Sequence, residues 1–124
     1  MASILVIDSC TEIRIVLCRL LTSLGYKARA AAGRIPGLES YQAEPADVIL
    51  LDISMPEHDG METLGALLQH DPRARVIAMT DDGMYKGLDM RRATSKLGAR
   101  RALYKPVTPK ELQSAIDVTL AMVS

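Results

Sequence analysis

The sequence predicts an α/β protein whose mostly parallel β-sheet is covered by helices on both faces, and three observations carry that prediction. Short continuous apolar runs, Ile4–Ile7, Val48–Leu51 and Val76–Met79, alternate with longer segments whose apolar residues recur at helical spacing. Strands that are apolar without alternation belong in a sheet buried on both sides, which in a strand–helix–strand chain means parallel pairing through helical crossovers. The composition agrees: 124 residues, 48% of them apolar, suffice for one buried core without disulfide or metal staples.

Each element follows from its local pattern. Ile4-Leu5-Val6-Ile7 is a buried strand that ends at Asp8. The period then changes: Ile13, Val16, Leu17, Leu20, Leu21 and Leu24 mark the inner face of a helix, with Ser9 or Thr11 as its cap and Gly25 as its left-handed stop. Tyr26–Ala31 is a second strand, and Pro36 suits the first turn of a short helix ending near Gln42. Asp47–Asp52 repeats the first theme, a buried strand closing on a carboxylate. The helix after it, Met61–His70, turns Leu64, Leu67 and Leu68 inward, with Gly60 freeing a tight turn before it. Arg75–Thr80 is a strand ending in a hydroxyl. Gly83–Leu97 reads as a weakly amphipathic helix, and Leu103-Tyr104 as a last short strand reaching Lys105-Pro106. Thr108-Pro109-Lys110-Glu111 is a capping box with proline at the first helical position; Leu112, Ala115, Ile116, Thr119, Leu120 and Val123 form the inner face of the closing helix.

Several function classes are excluded by composition. Lys+Arg and Asp+Glu number 15 each, so no bulk charge draws the chain to nucleic acid or anionic lipid. No apolar stretch approaches the roughly 18 residues that span a bilayer, and the four apolar residues after Met1-Ala2-Ser3 make no secretory leader. Cys10 and Cys18 have neither metal-ligand spacing nor a CxxC arrangement, which fits a reducing cytoplasm. His58 and His70 lack a ligand pattern and are expected at the surface.

The functional clue lies at the strand ends. In parallel sheets of this kind the ligand crevice lies at the carboxyl edge, and here Asp8, Asp52, Thr80 and Lys105 end four strands. Two carboxylates beside a lysine either bind a hard divalent cation or are neutralised by the ammonium. Magnesium prefers one or two carboxylates plus a phosphate oxygen. A carboxylate is itself a nucleophile toward a phosphoryl group, giving an aspartyl phosphate. Lys105 would pair with the phosphoryl oxygens and Thr80 would donate a hydrogen bond to one of them, the positioning and charge neutralisation that phosphoryl transfer requires.

With these residues in view, the chain resembles the receiver domains of two-component response regulators, from about Ser3 to Met122. The resemblance rests on Ile4-Leu5-Val6-Ile7-Asp8, on Val48 to Gly60 with its full D-x-x-M-P-x-x-D-G pattern starting at Asp52, on Val76–Thr80, and on Lys105-Pro106. It implies a flavodoxin-like, doubly wound sheet of five parallel strands in order 2-1-3-4-5 with five helices. Residues 1–124 are expected to form a single receiver domain with no output domain in this chain, either as a single-domain regulator or as a fragment of a longer one. It also implies Asp52 as phosphoacceptor, Thr80 and Lys105 as the switch pair, and Mg²⁺ held by Asp8, Asp52, the Ser54 backbone carbonyl and Ser9. A cis Lys105–Pro106 bond, a cytoplasmic location, and a histidine kinase or histidine phosphotransfer protein as donor are implied too.

The chain departs from the family pattern in four places. Ser9 stands where the first strand normally adds a second acid, which removes one charge from the pocket and implies weaker Mg²⁺ binding. Asp81 and Asp82 follow Thr80 where a small residue is usual; they compensate for Ser9, repel a donor, or are solvated loop acids. Asp82 and Ser54 also occupy positions that tune self-dephosphorylation in the family. Ala102 replaces the aromatic ring that reports phosphorylation, with Tyr104 as a substitute or a mere packing residue. Finally, the segment from Thr80 to Lys105 is longer than usual. Lys86 to Lys110 holds eight Lys/Arg against Asp89 alone, either a solvated face or a docking surface for an acidic downstream partner on the fourth helix and fifth strand. Without a helix-turn-helix or aromatic-studded surface, direct nucleic-acid binding is not expected. The alternative to a phosphoacceptor is a pseudo-receiver that binds partners without phosphorylation. A dehalogenase-type phosphatase would need an acid at Ser54, and a flavodoxin-like electron carrier a phosphate loop after the first strand.

Overall fold

The apolar runs lie side by side because each has two faces to bury. In this computed structural model, which describes residues 1–55, 59–81, 84–85 and 88–122, the chain begins β1 (Ser3–Ile7), α1 (Thr11–Ser23), β2 (Lys27–Ala31), α2 (Arg34–Ala43), β3 (Val48–Asp52) and α3 (Asp59–His70). It continues β4 (Val76–Thr80), β5 (Met84–Tyr85), β6 (Leu88–Asp89), α4 (Met90–Leu97), β7 (Arg101–Tyr104) and α5 (Pro109–Ala121). The main sheet is parallel, in the order β2-β1-β3-β4-β7. Counted along its own five strands this is the expected 2-1-3-4-5 order, with five helices around it.

Side-chain parity splits the core into two layers. Leu5, Ile7, Ile49, Leu51 and Ala78 face one way, against Leu64 and Leu67 of α3 and Met90 of α4. Ile4, Val6, Val48, Leu50, Ile77 and Met79 face the other, against Leu21 of α1 and Leu112, Ala115 and Ile116 of α5. Successive strand residues point to opposite faces, so a doubly covered sheet needs every position apolar. Among the described residues, no helix is long and apolar enough to cross a membrane.

Three expectations are corrected. Gly83–Leu97 is not one helix: β5 and β6 form a two-stranded antiparallel pair, and α4 starts only at Met90. Asp89 sets that start, its carboxylate accepting the Arg91 and Arg92 N–H groups. Once the helix is trimmed to this length it is sharply one-sided, with Met90 and Thr94 buried and Arg91, Arg92 and Lys96 exposed. The α1 cap is neither Ser9 nor Thr11. Cys10 occupies that position without a side-chain cap, and the Thr11 hydroxyl accepts from Arg14 Nη2 instead. The expected inner face of α1 is only half correct: Leu21 is buried, whereas Ile13 and Val16 are exposed, Val16 at 60%.

Other local signals hold. Gly25 adopts φ 96° just past α1, and the Thr108–Glu111 capping box opens α5 in full. Thr119 and Leu120 sit on its inner face, whereas Val123 lies outside the described residues. The Lys105–Pro106 peptide is cis, as the resemblance implies.

Candidate functional site

Parallel register brings the four strand ends together. Ile7 pairs with Leu51, so Asp8 and Asp52 emerge side by side; Thr80 pairs with Tyr104, and the Lys105 N–H donates to the Thr80 carbonyl at 2.7 Å. Asp8 is 1% exposed, and Asp52 and Thr80 are each 5% exposed. Polar side chains are seldom buried this deeply unless something pairs with them. Lys105 supplies the partner: its Nζ lies 3.1 Å from Asp52 Oδ1 and 3.6 Å from Asp8 Oδ2.

The loops complete the arrangement. Asp8 Oδ1 accepts the Cys10 N–H at 2.9 Å, and Asp52 Oδ1 accepts the Ser54 N–H at 2.9 Å, so each carboxylate also holds the turn that follows it. Asp8 Oδ2 is fully buried and makes no hydrogen bond. The Ser54 hydroxyl accepts the Asp81 N–H at 3.0 Å and lies 3.5 Å from Thr80 Oγ1, tying the loop after β3 to the end of β4. Ser9 is exposed and makes no hydrogen bond among the described residues. Asp81 is exposed and lines the same recess as Lys105. Asp82, Pro56, Glu57 and His58 lie outside the described residues, and His70 meets the Tyr41 ring edge-on.

Electrostatics set the two central groups against each other. Burial pushes the Asp52 carboxyl up; the Lys105 ammonium pulls it down and Asp8 pushes it up again, leaving it above the ordinary carboxylate value. Burial works against the Lys105 charge, but the carboxylates of Asp52, Asp8 and Asp81 outweigh it and hold the ammonium above the ordinary lysine value. The result is a carboxylate kept basic and a cation that stays charged beside it.

Arg14, which sequence reasoning passed over, and Gly60, which it assigned to a turn, shape the site. Arg14 reaches back from α1, its Nη1 donating to the Asp8 carbonyl at 2.7 Å, so one guanidinium fixes both the strand end and the first helical turn. The only sequence trace of this is an arginine six residues after Asp8, and that is common on a helix surface. Gly60 is needed for room rather than for a turn. A Cβ there would fall 2.5 Å from Ile53 Cα and 2.6 Å from the Asp52 carbonyl oxygen, so α3 presses directly on the backbone of the acidic strand end.

Tyr104 is partly exposed and lies under the Arg91 guanidinium, 4.3 Å from ring centroid to carbon. Ala102 is partly buried against the α3–α4 layer and leaves room where a ring would fit. Beside the acids, Ile13, Val16, Leu17, Pro106 and Val107 line an open, mostly apolar recess of about 470 Å³ that reaches Lys105. No three His, Cys, Asp or Glu side chains converge as metal ligands among the described residues.

Comparison with known proteins agrees with this geometry. Residues 4–117 match the family model of the response regulator receiver domain. The chain is 34% identical over 121 residues to sporulation initiation phosphotransferase F of Bacillus subtilis, covering 98% of this chain and 95% of that protein. It is 28% identical over 116 residues to the chemotaxis protein CheY of Thermotoga maritima, covering 92% and 93%. Among solved structures, a response regulator receiver domain protein from Clostridium thermocellum superposes with a TM-score of 0.87 at 31% identity, covering 97% of this chain and 94% of that one. An acidic pair and a lysine at the carboxyl edge of a 2-1-3-4-5 parallel sheet, and a family match over nearly the whole chain, lead to one conclusion: this chain belongs to the response regulator receiver domains of two-component signalling.

Proposed function

We propose that Asp52 accepts a phosphoryl group from a phosphohistidine on a histidine kinase or histidine phosphotransfer protein in the cytoplasm. An Asp52 carboxylate oxygen attacks phosphorus, the P–N bond to the imidazole breaks as the P–O bond forms, and the leaving imidazole nitrogen takes up a proton. The observation that carries this reading is the position of Lys105 Nζ, 3.1 Å from Asp52 and 3.6 Å from Asp8, where it meets the charge that develops on the transferred oxygens. Thr80 stands ready to donate to one of those oxygens. Tyr104, its register partner, would pass the change to α4 through Arg91. The apolar recess along α1 suits the donor, since it adjoins Lys105 and removes Ile13 and Val16 from water when covered.

Receiver domains generally bind Mg²⁺, and the residues here fit it. Asp8 Oδ2, buried without a hydrogen bond, and the Asp52 carboxylate are hard oxygen donors that would hold the cation, with the Ser54 carbonyl and the Ser9 hydroxyl as further candidate ligands. When bound, the cation supplies positive charge to the phosphoryl oxygens. With Ser9 replacing an acid, one charge is missing, so affinity falls below that of a pocket with two acids after the first strand. Ser54, whose hydroxyl accepts the Asp81 N–H, would tune the lifetime of the acyl phosphate together with Asp81 and Asp82. The basic surface of α4 and β7 would receive a downstream partner.

The test is incubation with a small acyl phosphate and Mg²⁺, read by intact mass. A gain of one phosphoryl group that disappears in Asp52→Asn supports the reading. No gain with any donor or metal concentration would transfer support to a pseudo-receiver, the reading that Ser9 and Ala102 favour.

A further inference from the structure

We propose that Arg14 is a positioning residue for the phosphoryl-transfer site: by gripping the Asp8 carbonyl it holds the turn between β1 and α1 in the form that aims Asp8 Oδ2 into the cation pocket. The proposal rests on the cation-binding part of the function argued above and names what keeps that pocket in shape. Asp8 has four polar groups, and three of them are tied down. Its N–H donates to the Ala31 carbonyl at 3.2 Å, its Oδ1 accepts the Cys10 N–H at 2.9 Å, and its carbonyl accepts Arg14 Nη1 at 2.7 Å. The fourth is Oδ2, buried without a hydrogen bond and 3.6 Å from Lys105 Nζ. A ligand atom fixed in advance gives up little freedom when a cation arrives.

No main-chain N–H among the described residues reaches the Asp8 carbonyl, so its partner has to come from a side chain. Arg14 lies half-buried on α1, and its Nη2 donates to the Thr11 hydroxyl at 3.0 Å. The guanidinium is thus braced at two points and cannot swing away without breaking both bonds. Because Ser9 and Cys10 follow Asp8, the turn offers one carboxylate, and the aim of that carboxylate decides how well a cation is held. Charge argues the other way, which makes the inference testable. Arg14 is permanently cationic, and removing it should by Coulomb repulsion alone tighten metal binding. Loss of alignment weakens it. The sign of the change separates the two roles.

Mn²⁺ takes hard oxygen ligands, as Mg²⁺ does, and is followed directly by electron paramagnetic resonance when titrated into the intact protein and its variants. Arg14→Ala is expected to weaken binding about tenfold, the lower end for a group that orients a metal ligand. Arg14→Lys keeps the charge without the two-pronged grip and should lose nearly as much. Arg14→Gln is neutral but can still donate to the carbonyl, and should recover part of the loss. Arg19→Ala removes an equal charge from an exposed position of the same helix and should leave Mn²⁺ binding unchanged. In acyl phosphate labelling, half-saturation by Mg²⁺ should move upward in the same order. Urea denaturation reports whether each variant is folded; should Arg14→Ala fail to fold, the order of Arg14→Lys and Arg14→Gln decides. Lower stability in the Arg14 variants with unaltered Mn²⁺ affinity would overturn the proposal and leave a purely structural contact. Tighter binding in Arg14→Ala, or equal losses in Arg14→Ala and Arg19→Ala, would overturn it too. Absence of Mn²⁺ binding by the unmodified protein would overturn it together with the cation site, while labelling that disappears in Asp52→Asn would still uphold the phosphoacceptor.

Discussion

Replacing Lys105 by Met removes the cation that the structure places between two buried carboxylates, and the cost follows from the geometry. At an effective dielectric constant of about 20, each contact, at 3.1 and 3.6 Å, represents about 5 kcal/mol of Coulomb attraction. Desolvation of the ions offsets most of that, and truncating one partner of a buried pair costs about 3–5 kcal/mol. The Lys105 side chain keeps 23% of its surface in solvent, so about 2–3 kcal/mol is expected at neutral pH. The pH dependence is the sharper signature. Asp52 already binds its proton more readily than an ordinary carboxylate, and loss of the ammonium moves it further in that direction. Protonating it relieves the repulsion with Asp8, so the deficit of Lys105→Met shrinks as pH falls from neutral toward the folded-state pKa of Asp52. Urea denaturation of both proteins at neutral and mildly acidic pH measures this. A deficit under about 0.5 kcal/mol, the scatter of ordinary surface changes, or an equal deficit in both buffers, would refute the ion-pair account.

Further outcomes follow from the same structure. Asp52→Asn is expected to raise stability at neutral pH by about 1 kcal/mol, the scale on which a strained functional group is relieved. The sign comes from linkage: a carboxyl whose folded pKa is raised costs stability when ionised, so the advantage over wild type fades as pH drops through that pKa toward the unfolded value. Urea midpoints across pH check it. Gly60→Ala drives a Cβ to 2.5 Å from the Ile53 backbone and should cost about 3 kcal/mol, the upper range for overpacking, with phosphoryl uptake falling in parallel. Val16→Asp, at a position 60% exposed, should leave stability within about 0.5 kcal/mol. It should also spare labelling by a small acyl phosphate, yet slow transfer from a phosphohistidine protein about tenfold in stopped-flow or autoradiographic assays, equivalent to about 1.4 kcal/mol of lost encounter-complex stability.

Much of this molecule is legible along the chain because its signals are local. Apolar runs of strand length, Gly25 after α1 and the Thr108–Glu111 box each act within a few residues, and each predicted its element correctly. The strand-end positions of Asp8, Asp52, Thr80 and Lys105 are legible for the same reason, since a strand's last residue is visible in its hydrophobic pattern. The β5–β6 insertion escaped because Gly83 and Gly87 sit in a segment with helical formers on both sides, and the cap at Asp89 was read as helix interior. The exposure of Ile13 and Val16 escaped because periodicity reports that a helix has an apolar face, not that a neighbour covers all of it.

What the linear order of residues determined by itself is therefore the set of elements and the chemistry at their ends. Tertiary structure alone decided that Lys105 bridges both acids, that Arg14 grips the Asp8 carbonyl, that Gly60 admits α3 against the acidic end of β3, and that Tyr104 rests beneath Arg91. The physical reason is one of range. Backbone propensity and capping are settled within a turn or two of helix, whereas an ion pair between residues 53 or more positions apart depends on strand register and sheet order. Those are set by the burial of the whole core at once.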